Sequence, residues 1–384
     1  MKLRSKLLIS IAVSLLAVVP AWTQTIPSDG SDLDFSPTNN IVVDLSIAVP
    51  GLWNADNSAN AGKGIYDSNK WAVVFKYRSV NIPAGVTVTF TNHPSHAPVV
   101  WLVAGNVVIN GTLSVAGHDS YPADSLSLLT PAEPGPGGFR GGASGPSGNG
   151  GGYGPGSGAY ATYASSYGNP QIIPLIGGSG AYARAADSYY TGGGGGGALL
   201  IDAMAVLING TVSADGGNYF SSGGAIRLIA AQVSGTGDIH AQGNSGAGNG
   251  RIRIETLTLA PTIRITPVTI AVAPAAIPII WPADDAPTVR VASVDGTPTP
   301  GDPTAPLASA ADIPLQKNGT VQVILETKNF PVEGVVQLRT VQKYGPAAWV
   351  SATNSAGTFA QATWIANVTF APGFTTLQAR ATVP

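Results

Sequence analysis

One pattern is written three times in the chain, as VVWLVAGNVVINGTLSVAG (99–117), ALLIDAMAVLINGTVSADG (198–216) and AIRLIAAQVSGTGDIHAQG (225–243). In each copy an apolar strand begins 12 residues before a glycine, and another glycine follows six residues later. The segment RIRIETL starts the pattern again at Arg251, 26 residues after Ala225. A repeat of this length, made of strands and glycine turns, predicts the coils of a parallel β-solenoid.

The constant spacing assigns side chains to the two sides of each strand, because successive side chains alternate. Two aliphatic columns are predicted to point inward and stack as the core: Val100, Leu199, Ile226 and Ile252, and then Leu102, Ile201, Leu228 and Ile254. Burial of each such side chain contributes about 1.5–3 kcal/mol. We therefore expect Ile226→Asp or Leu228→Asp to prevent folding of the coil.

The column between these two is predicted to face outward, and it consists of Trp101, Leu200, Arg227 and Arg253. Arg227 and Arg253 would lie on adjacent coils about 4.8 Å apart, so they need an anion or a carboxylate between them. Glu255 could serve, and so could Asp202 one coil earlier. Two interpretations remain open, namely a solvated ladder with counterions and a contact for an anionic sugar.

Three glycines are predicted to form the turns between strands, at Gly111, Gly210 and Gly237. The first two stand in Asn-Gly-Thr, which is also an N-glycosylation acceptor sequence. We favour the turn interpretation for Asn110 and Asn209, because both Asn and Gly tolerate a positive φ.

The composition bounds the class of protein. Without cysteine, the chain can form no disulfide, no thiolate metal site and no lipid anchor on a cysteine. Charged residues make up 10% of the chain, and 21 acidic residues outnumber 19 basic ones. This balance does not resemble the basic footprint of a nucleic-acid-binding protein, so no nucleic-acid partner is expected.

The segments of the chain differ in amino-acid composition. Residues 1–21 resemble a cleavable signal peptide, with a basic start and an apolar run too short to favour a membrane span, and no later segment predicts one. The predicted organisation is a signal peptide at 1–21, a polar and loose lead-in at 22–40, a β-helix with an N-terminal cap at 41–260, a Pro-rich linker at 261–287 and an Ig-like antiparallel β-sandwich at 288–384. The protein is expected to be exported, either secreted or at the cell surface.

A Gly/Tyr-rich insertion at 118–197 separates the first two copies of the repeat. It predicts either a flexible loop that projects from the coil or an adaptable contact surface, since tyrosines on glycine-rich segments bind varied partners. The tyrosines concerned are Tyr153, Tyr160, Tyr163, Tyr167, Tyr182, Tyr189 and Tyr190.

The residues that could carry chemistry do not form a recognisable catalytic set. Asp202, Asp215, Asp238 and His240 fall in non-equivalent columns, so neighbouring coils supply no pair of carboxylates in one column. His93 and His96 have a spacing that a metal could use, but no third ligand is evident. We therefore predict no metal and no cofactor.

Several segments resemble a known family: VNIPAGVTVTF (80–90), INGTLSVAG (109–117), GGAIRLIAAQVSGTGDIHAQG (223–243) and GNGRIRIET (248–256). They are similar to the Gly-rich right-handed parallel β-helix proteins that bacteria export, which include adhesin passenger domains and the pectate-lyase-like superfamily. The resemblance covers about residues 75–260 and implies an all-β fold, a right-handed β-helix followed by a small antiparallel β-sandwich. Its members include adhesins, surface-layer components and carbohydrate enzymes.

The function expected from these observations is that of an exported structural or adhesive protein without enzymatic activity. The alternatives are a polysaccharide lyase or hydrolase and a carbohydrate-binding module, the latter with Trp53 or Trp71 as a further stacking platform. Expected partners are a polysaccharide, cell-surface components or a second copy of the chain. The candidate ligand contacts are Trp101, Tyr153, Tyr160, Tyr163, Tyr167, Arg227 and Arg253.

Overall fold

The computed structural model describes residues 25–120, 131–143, 150–157, 164–183, 191–305, 310–316, 319–343, 345 and 347–383. The fold is all-β, with parallel sheets in the first two thirds of the chain and antiparallel sheets in the last third. The signal peptide expected at 1–21 lies outside the described residues.

The parallel region has two sheets and two short 3₁₀ helices, Leu45–Ile47 and Ser58–Asn60. Its strands are β1 (Asp34–Phe35), β2 (Ile41–Asp44), β3 (Val49–Pro50), β4 (Ile65–Asp67), β5 (Ala72–Tyr77), β6 (Ser79–Ile82), β7 (Thr87–Thr91), β8 (Val99–Ile109), β9 (Thr112–Ser114), β10 (Ala198–Ile208), β11 (Thr211–Ser213), β12 (Ala225–Ser234), β13 (Asp238–His240), β14 (Arg251–Glu255), β15 (Thr258–Leu259) and β16 (Arg264–Thr266). The six-stranded sheet has the order β16-β13-β11-β9-β7-β2, and the other strands form the ten-stranded sheet.

The chain passes from one parallel sheet to the other within each repeat. In the ten-stranded sheet β8, β10, β12 and β14 are neighbours, and β9, β11, β13 and β16 are the matching neighbours in the six-stranded sheet. Ala198 pairs with Ala225, and Ala225 pairs with Arg251. The spacing of 27 and then 26 residues therefore sets the strand register as the sequence indicates.

The predicted register is wrong by one residue in the first half of β8. Trp101, not Leu102, is the partner of Ile201, whereas beyond Ala205 the partners follow the spacing of the glycines. A β-bulge causes the change, because Ala104 and Gly105 of β8 lie opposite the single residue Met204.

The bulge changes which side chains build the core. Val100 and Leu102 point to the outer face of the ten-stranded sheet, where a second apolar cluster buries them. The inner core between the sheets takes Trp101 instead, together with the other six predicted residues: Leu199, Ile201, Ile226, Leu228, Ile252 and Ile254.

The three turn glycines form a column for a reason other than the one expected. Neither they nor the preceding asparagines have a positive φ. Instead the backbones approach closely: a Cβ on Gly210 would lie 1.9 Å from the carbonyl oxygen of Gly111, and one on Gly237 would lie 2.1 Å from that of Gly210. Glycine is required there because no side chain fits between the coils.

The N-terminal region is more ordered than a loose lead-in. Asp32 is buried, and its carboxylate accepts hydrogen bonds from Asn57 Nδ2 at 2.7 Å, from Gly62 N at 2.8 Å and from Lys76 N at 2.7 Å. β1 pairs with β6. The turn between β6 and β7 contains Gly85 at a φ of 81°.

Hydrogen bonds from glycine backbones hold the described parts of the insertion together without regular strands. The run Gly192–Gly197 is buried along its whole length. Its amides and carbonyls bond to three surrounding segments, 115–118, 135–142 and 178–181, and to Gly217 and Ser222. A segment that bonds in so many directions belongs to a bundle of chains, so these parts do not form a projecting loop.

The C-terminal third contains two antiparallel sheets. Their strands are β17 (Thr288–Val294), β18 (Thr297–Pro298), β19 (Gly319–Lys328), β20 (Val335–Gln342), β21 (Ala347–Ser351), β22 (Thr353–Gly357), β23 (Gln361–Phe370) and β24 (Thr375–Thr382), in the orders β18-β17-β19-β23-β22 and β21-β20-β24. Both sheets contribute to one apolar cluster around Leu325, Leu338 and Trp364.

Candidate functional site

Trp101 is not a surface platform, because the bulge in β8 turns its ring into the inner core. It is fully buried and packs against Phe35 and Tyr77, with ring centroids 5.6 Å away in both cases. The expectation that Trp101 contacts a ligand is therefore wrong.

Arg227 and Arg253 share one carboxylate. Glu255 Oε1 accepts hydrogen bonds from Arg227 Nε at 2.9 Å and from Arg253 Nε at 2.7 Å. Glu255 is thus the acid that lies between the two cations, a position for which the sequence offered both Glu255 and Asp202. Arg227 also donates to the carbonyl oxygen of Ile279 at 2.7 Å and is only 2% exposed. The segment around Ile279 covers this guanidinium, so Arg227 is no contact for a sugar.

Asp202 lies on the same covered face and is fully buried. Burial raises the pKa of its carboxyl to about 8, although the nearby Arg227 lowers it. The arrangement is a buried electrostatic cluster.

The described tyrosines of the insertion serve packing. Tyr153 is buried, and the Tyr167 hydroxyl donates to the carbonyl oxygen of Gly177 while its ring packs against Phe139. Tyr182 stacks on Phe220 with ring centroids 6.0 Å apart. Tyr160 and Tyr163 lie outside the described residues, as do Tyr189 and Tyr190.

Asp215 and His240 form a surface pair across two coils. His240 Nδ1 lies 2.6 Å from Asp215 Oδ2, and this hydrogen bond raises the pKa of the imidazole. Asp238 is paired separately with Arg264, whose Nη2 lies 2.6 Å from its Oδ2. The acids of this face are thus held by basic partners, which fits a surface network.

A large cleft of about 1770 Å³ lies between the parallel sheets, the insertion and the C-terminal region. The sequence alone does not reveal this cleft, because its walls come from segments far apart in the chain. The polar side chains that line it include Asn92, His93, His96, His118, Asp119, Glu133 and Arg140, and the partly exposed aromatic ones are Trp71, Phe139, Phe370 and Phe374.

Asn92 and His96 line this cleft, and each has a buried side-chain atom without a hydrogen-bond partner in the described part of the chain. These atoms are Asn92 Oδ1 and His96 Nδ1. The amide of Asn92 is oriented by its other end, since Nδ2 donates to the carbonyl oxygen of Pro134 at 2.8 Å. Buried polar groups are normally paired, so unpaired ones in a cleft indicate a position for a ligand or water.

The electrostatic surroundings keep His96 neutral at ordinary pH. Burial is the main cause that lowers the pKa of its imidazole to about 4, and the Arg140 charge lowers it further. Arg140 itself is paired with Glu133, with Nε and Oε1 2.8 Å apart. A neutral imidazole can both donate and accept a hydrogen bond.

His93 helps to join the parallel region to the C-terminal region. Its Nδ1 accepts from Ser95 N at 3.1 Å, and its ring stacks on Tyr66 at 3.8 Å. The Tyr66 hydroxyl donates to Asp302 Oδ1 at 2.8 Å across the two regions. These contacts occupy His93, and the described residues contain no group of three or more metal-ligating side chains.

No protein-family model, curated protein or solved structure matches the chain. Within the described ranges, no helix combines the length and the apolar character that crossing a bilayer requires.

Proposed function

We propose that the parallel region is a right-handed β-helix and that the C-terminal region is a β-sandwich. The alternation of the chain between two parallel sheets supports the helix, and so do the starts of successive coils at Ala198, Ala225 and Arg251, which are 27 and 26 residues apart. Crossover connections between parallel strands are right-handed in nearly all proteins, which supports the hand.

The function that we propose is adhesion by an exported, non-enzymatic protein that binds a polysaccharide in the cleft. The single observation that carries this proposal is the large cleft itself, whose wall brings His96, Glu133 and Arg140 together with partly exposed aromatic rings. A pocket of this kind is the usual place for a ligand in a protein.

The chemistry of the cleft suits a sugar chain. Sugar hydroxyls can hydrogen-bond to the neutral imidazole of His96, while Glu133 and Arg140 offer an acceptor and donors at the same wall. The partly exposed rings of Trp71 and Phe139 supply apolar faces. A volume of about 1770 Å³ exceeds that of a typical small-molecule site, which favours an oligomer.

The test is binding of the purified protein to a panel of plant, algal and bacterial polysaccharides. We expect His96→Asn to weaken binding at least tenfold without lowering the melting temperature, because asparagine tolerates the positive φ of 55° at this position. His240→Asn is the matched control, since it makes the same chemical change away from the lining of the cleft.

Two results would overturn the proposal. The first is the absence of binding to every member of the panel, or equal binding by wild type and His96→Asn. The second is release of reducing or unsaturated sugar ends during the incubation, which would establish the polysaccharide-degrading alternative.

A further inference from the structure

The two ends of the stack of parallel strands differ in how their edges are closed. In the ten-stranded sheet, β3 at one end contains Pro50, which has no amide hydrogen to donate, and Val272 bridges to Glu255 at the other end. The six-stranded sheet lacks such closure among the described residues: β2 pairs only with β7, and β16 pairs only with β13. Open edges of this kind are templates for further strands.

The two open edges match one another, since they end the same inward column of side chains. This column runs through Ile41, Val88, Leu113, Val212, Ile239 and Ile265. A second copy stacked on the end would pair β16 with β2 in parallel and continue the column from Ile265 to Ile41. The strand spacing of about 4.8 Å would continue unchanged.

Large apolar side chains are exposed beside both edges. Val42 and Ile47 are exposed at the β2 end. Val268 and Ile270 are 90% and 86% exposed at the β16 end. Clustered exposure of this kind marks an association surface.

Charge contributes little to the match between the two ends, because most charged groups there have partners within the chain. At the β16 end Arg264 pairs with Asp238 and Arg253 pairs with Glu255. At the other end Asp29 pairs with Lys76 and Asp34 pairs with Arg78. The match therefore rests on the open strand edges and on the exposed apolar side chains beside them.

We propose that these two edges form a head-to-tail interface between copies of this chain, with β16 of one copy paired in parallel with β2 of the next. The contact is heterologous, because two different surfaces meet, and a repeated heterologous contact without closure produces a filament. Val42 also lines the cleft, whereas Ile47, Val268 and Ile270 do not, so assembly is measured without added polysaccharide and is independent of what the cleft binds.

The experiment is sedimentation of the purified protein over a series of concentrations, for wild type, Val42→Asp and Val268→Asp. Both side chains are exposed, so the variants should keep the wild-type circular dichroism and melting temperature. We expect the wild-type mass to grow with concentration and each variant alone to stay monomeric, because each has lost one of the two ends.

An equimolar mixture of the two variants tests the polarity of the contact. Val42→Asp keeps an intact β16 end and Val268→Asp keeps an intact β2 end, so the mixture should form a dimer and stop there. A wild type that stays monomeric, a single variant that assembles by itself, or a mixture that stays monomeric would each overturn the proposal.

Discussion

The space between the parallel sheets and the segment Gly192–Gly197 of the insertion are both buried, but side chains fill the first interior and backbone fills the second. Between the sheets, Leu199, Ile226 and Leu228 fill the space with side chains. In the insertion, Gly192–Gly197 are surrounded by the backbones of other segments, and a Cβ on any of them would lie within 2.5 Å of a backbone atom. Removal of side-chain atoms should therefore destabilise the first interior, whereas addition of atoms should destabilise the second.

The largest effect is expected from adding one methyl group at the centre of the insertion. In Gly195→Ala the new Cβ would lie 2.0 Å from the carbonyl oxygen of Gly178. Because a buried backbone cannot retreat without breaking its hydrogen bonds, we expect a cost of about 5 kcal/mol or a failure to fold, measured by denaturant unfolding.

The matched control is Gly301→Ala, whose Cβ would meet no atom within 4 Å and whose backbone is not left-handed. It should leave stability unchanged or slightly higher. Equal stability of the two variants would show that the insertion has room for side chains, which would contradict the comparison.

The opposite change, removal of side-chain atoms, should destabilise the core between the parallel sheets. We expect Trp101→Ala to cost roughly 3–5 kcal/mol, because it leaves a large cavity between the sheets. Trp101→Phe should cost much less, since the indole Nε1 has no hydrogen-bond partner among the described residues. Unfolding free energies of the two variants check this, and an unchanged stability in Trp101→Ala would restore the outward register predicted from glycine spacing.

The smallest expected effect is a pH dependence of stability that has opposite signs at His96 and at His240. The backbone of His96 contacts the insertion, since Gly137 N donates to its carbonyl oxygen, whereas His240 lies on β13. The pKa of His96 is lowered to about 4, so the unfolded chain binds a proton first as pH falls below 6.5. Between pH 7.5 and 5 this should cost about 2 kcal/mol of the free energy of unfolding.

His240 should act with the opposite sign. Its pKa is raised by Asp215, so its contribution is complete below pH 6.5 and is lost as pH rises through the raised value. The difference in unfolding free energy between wild type and His96→Asn, and between wild type and His240→Asn, should therefore change with pH in opposite directions. Parallel pH slopes for both variants would refute the assignment.

The repeat spacing was sufficient to predict the strands and most of their register. The strands at Ala198, Ala225 and Arg251 begin where the pattern places them, and six of eight predicted inner residues lie in the inner core. The error at Val100 and Leu102 has a local cause, since the bulge at Ala104 and Gly105 adds a residue that glycine spacing cannot reveal. The glycine of this bulge was a signal that could have been used.

The candidate site could not be predicted for a different reason. Asn92, Glu133 and Arg140 meet in one wall only after the insertion has folded against the sheets. Likewise, Arg227 is covered by Ile279, which is 52 residues away in the chain. Alternation within a strand tells which side a residue faces, but it does not tell which distant segment covers that side.

The most direct test of the difference between the two interiors is hydrogen exchange of the native protein, read by mass spectrometry for residues 192–197 and for β12. Five of these six glycine amides, all except that of Gly193, donate to backbone carbonyl oxygens at 2.7 to 3.0 Å. We expect them to exchange as slowly as the amides of β12, because both are released only by unfolding of a packed interior. Exchange as fast as that of the exposed segment around Gly301 would contradict the claim that Gly192–Gly197 belong to a packed interior, and it would show that they lie in a loose loop.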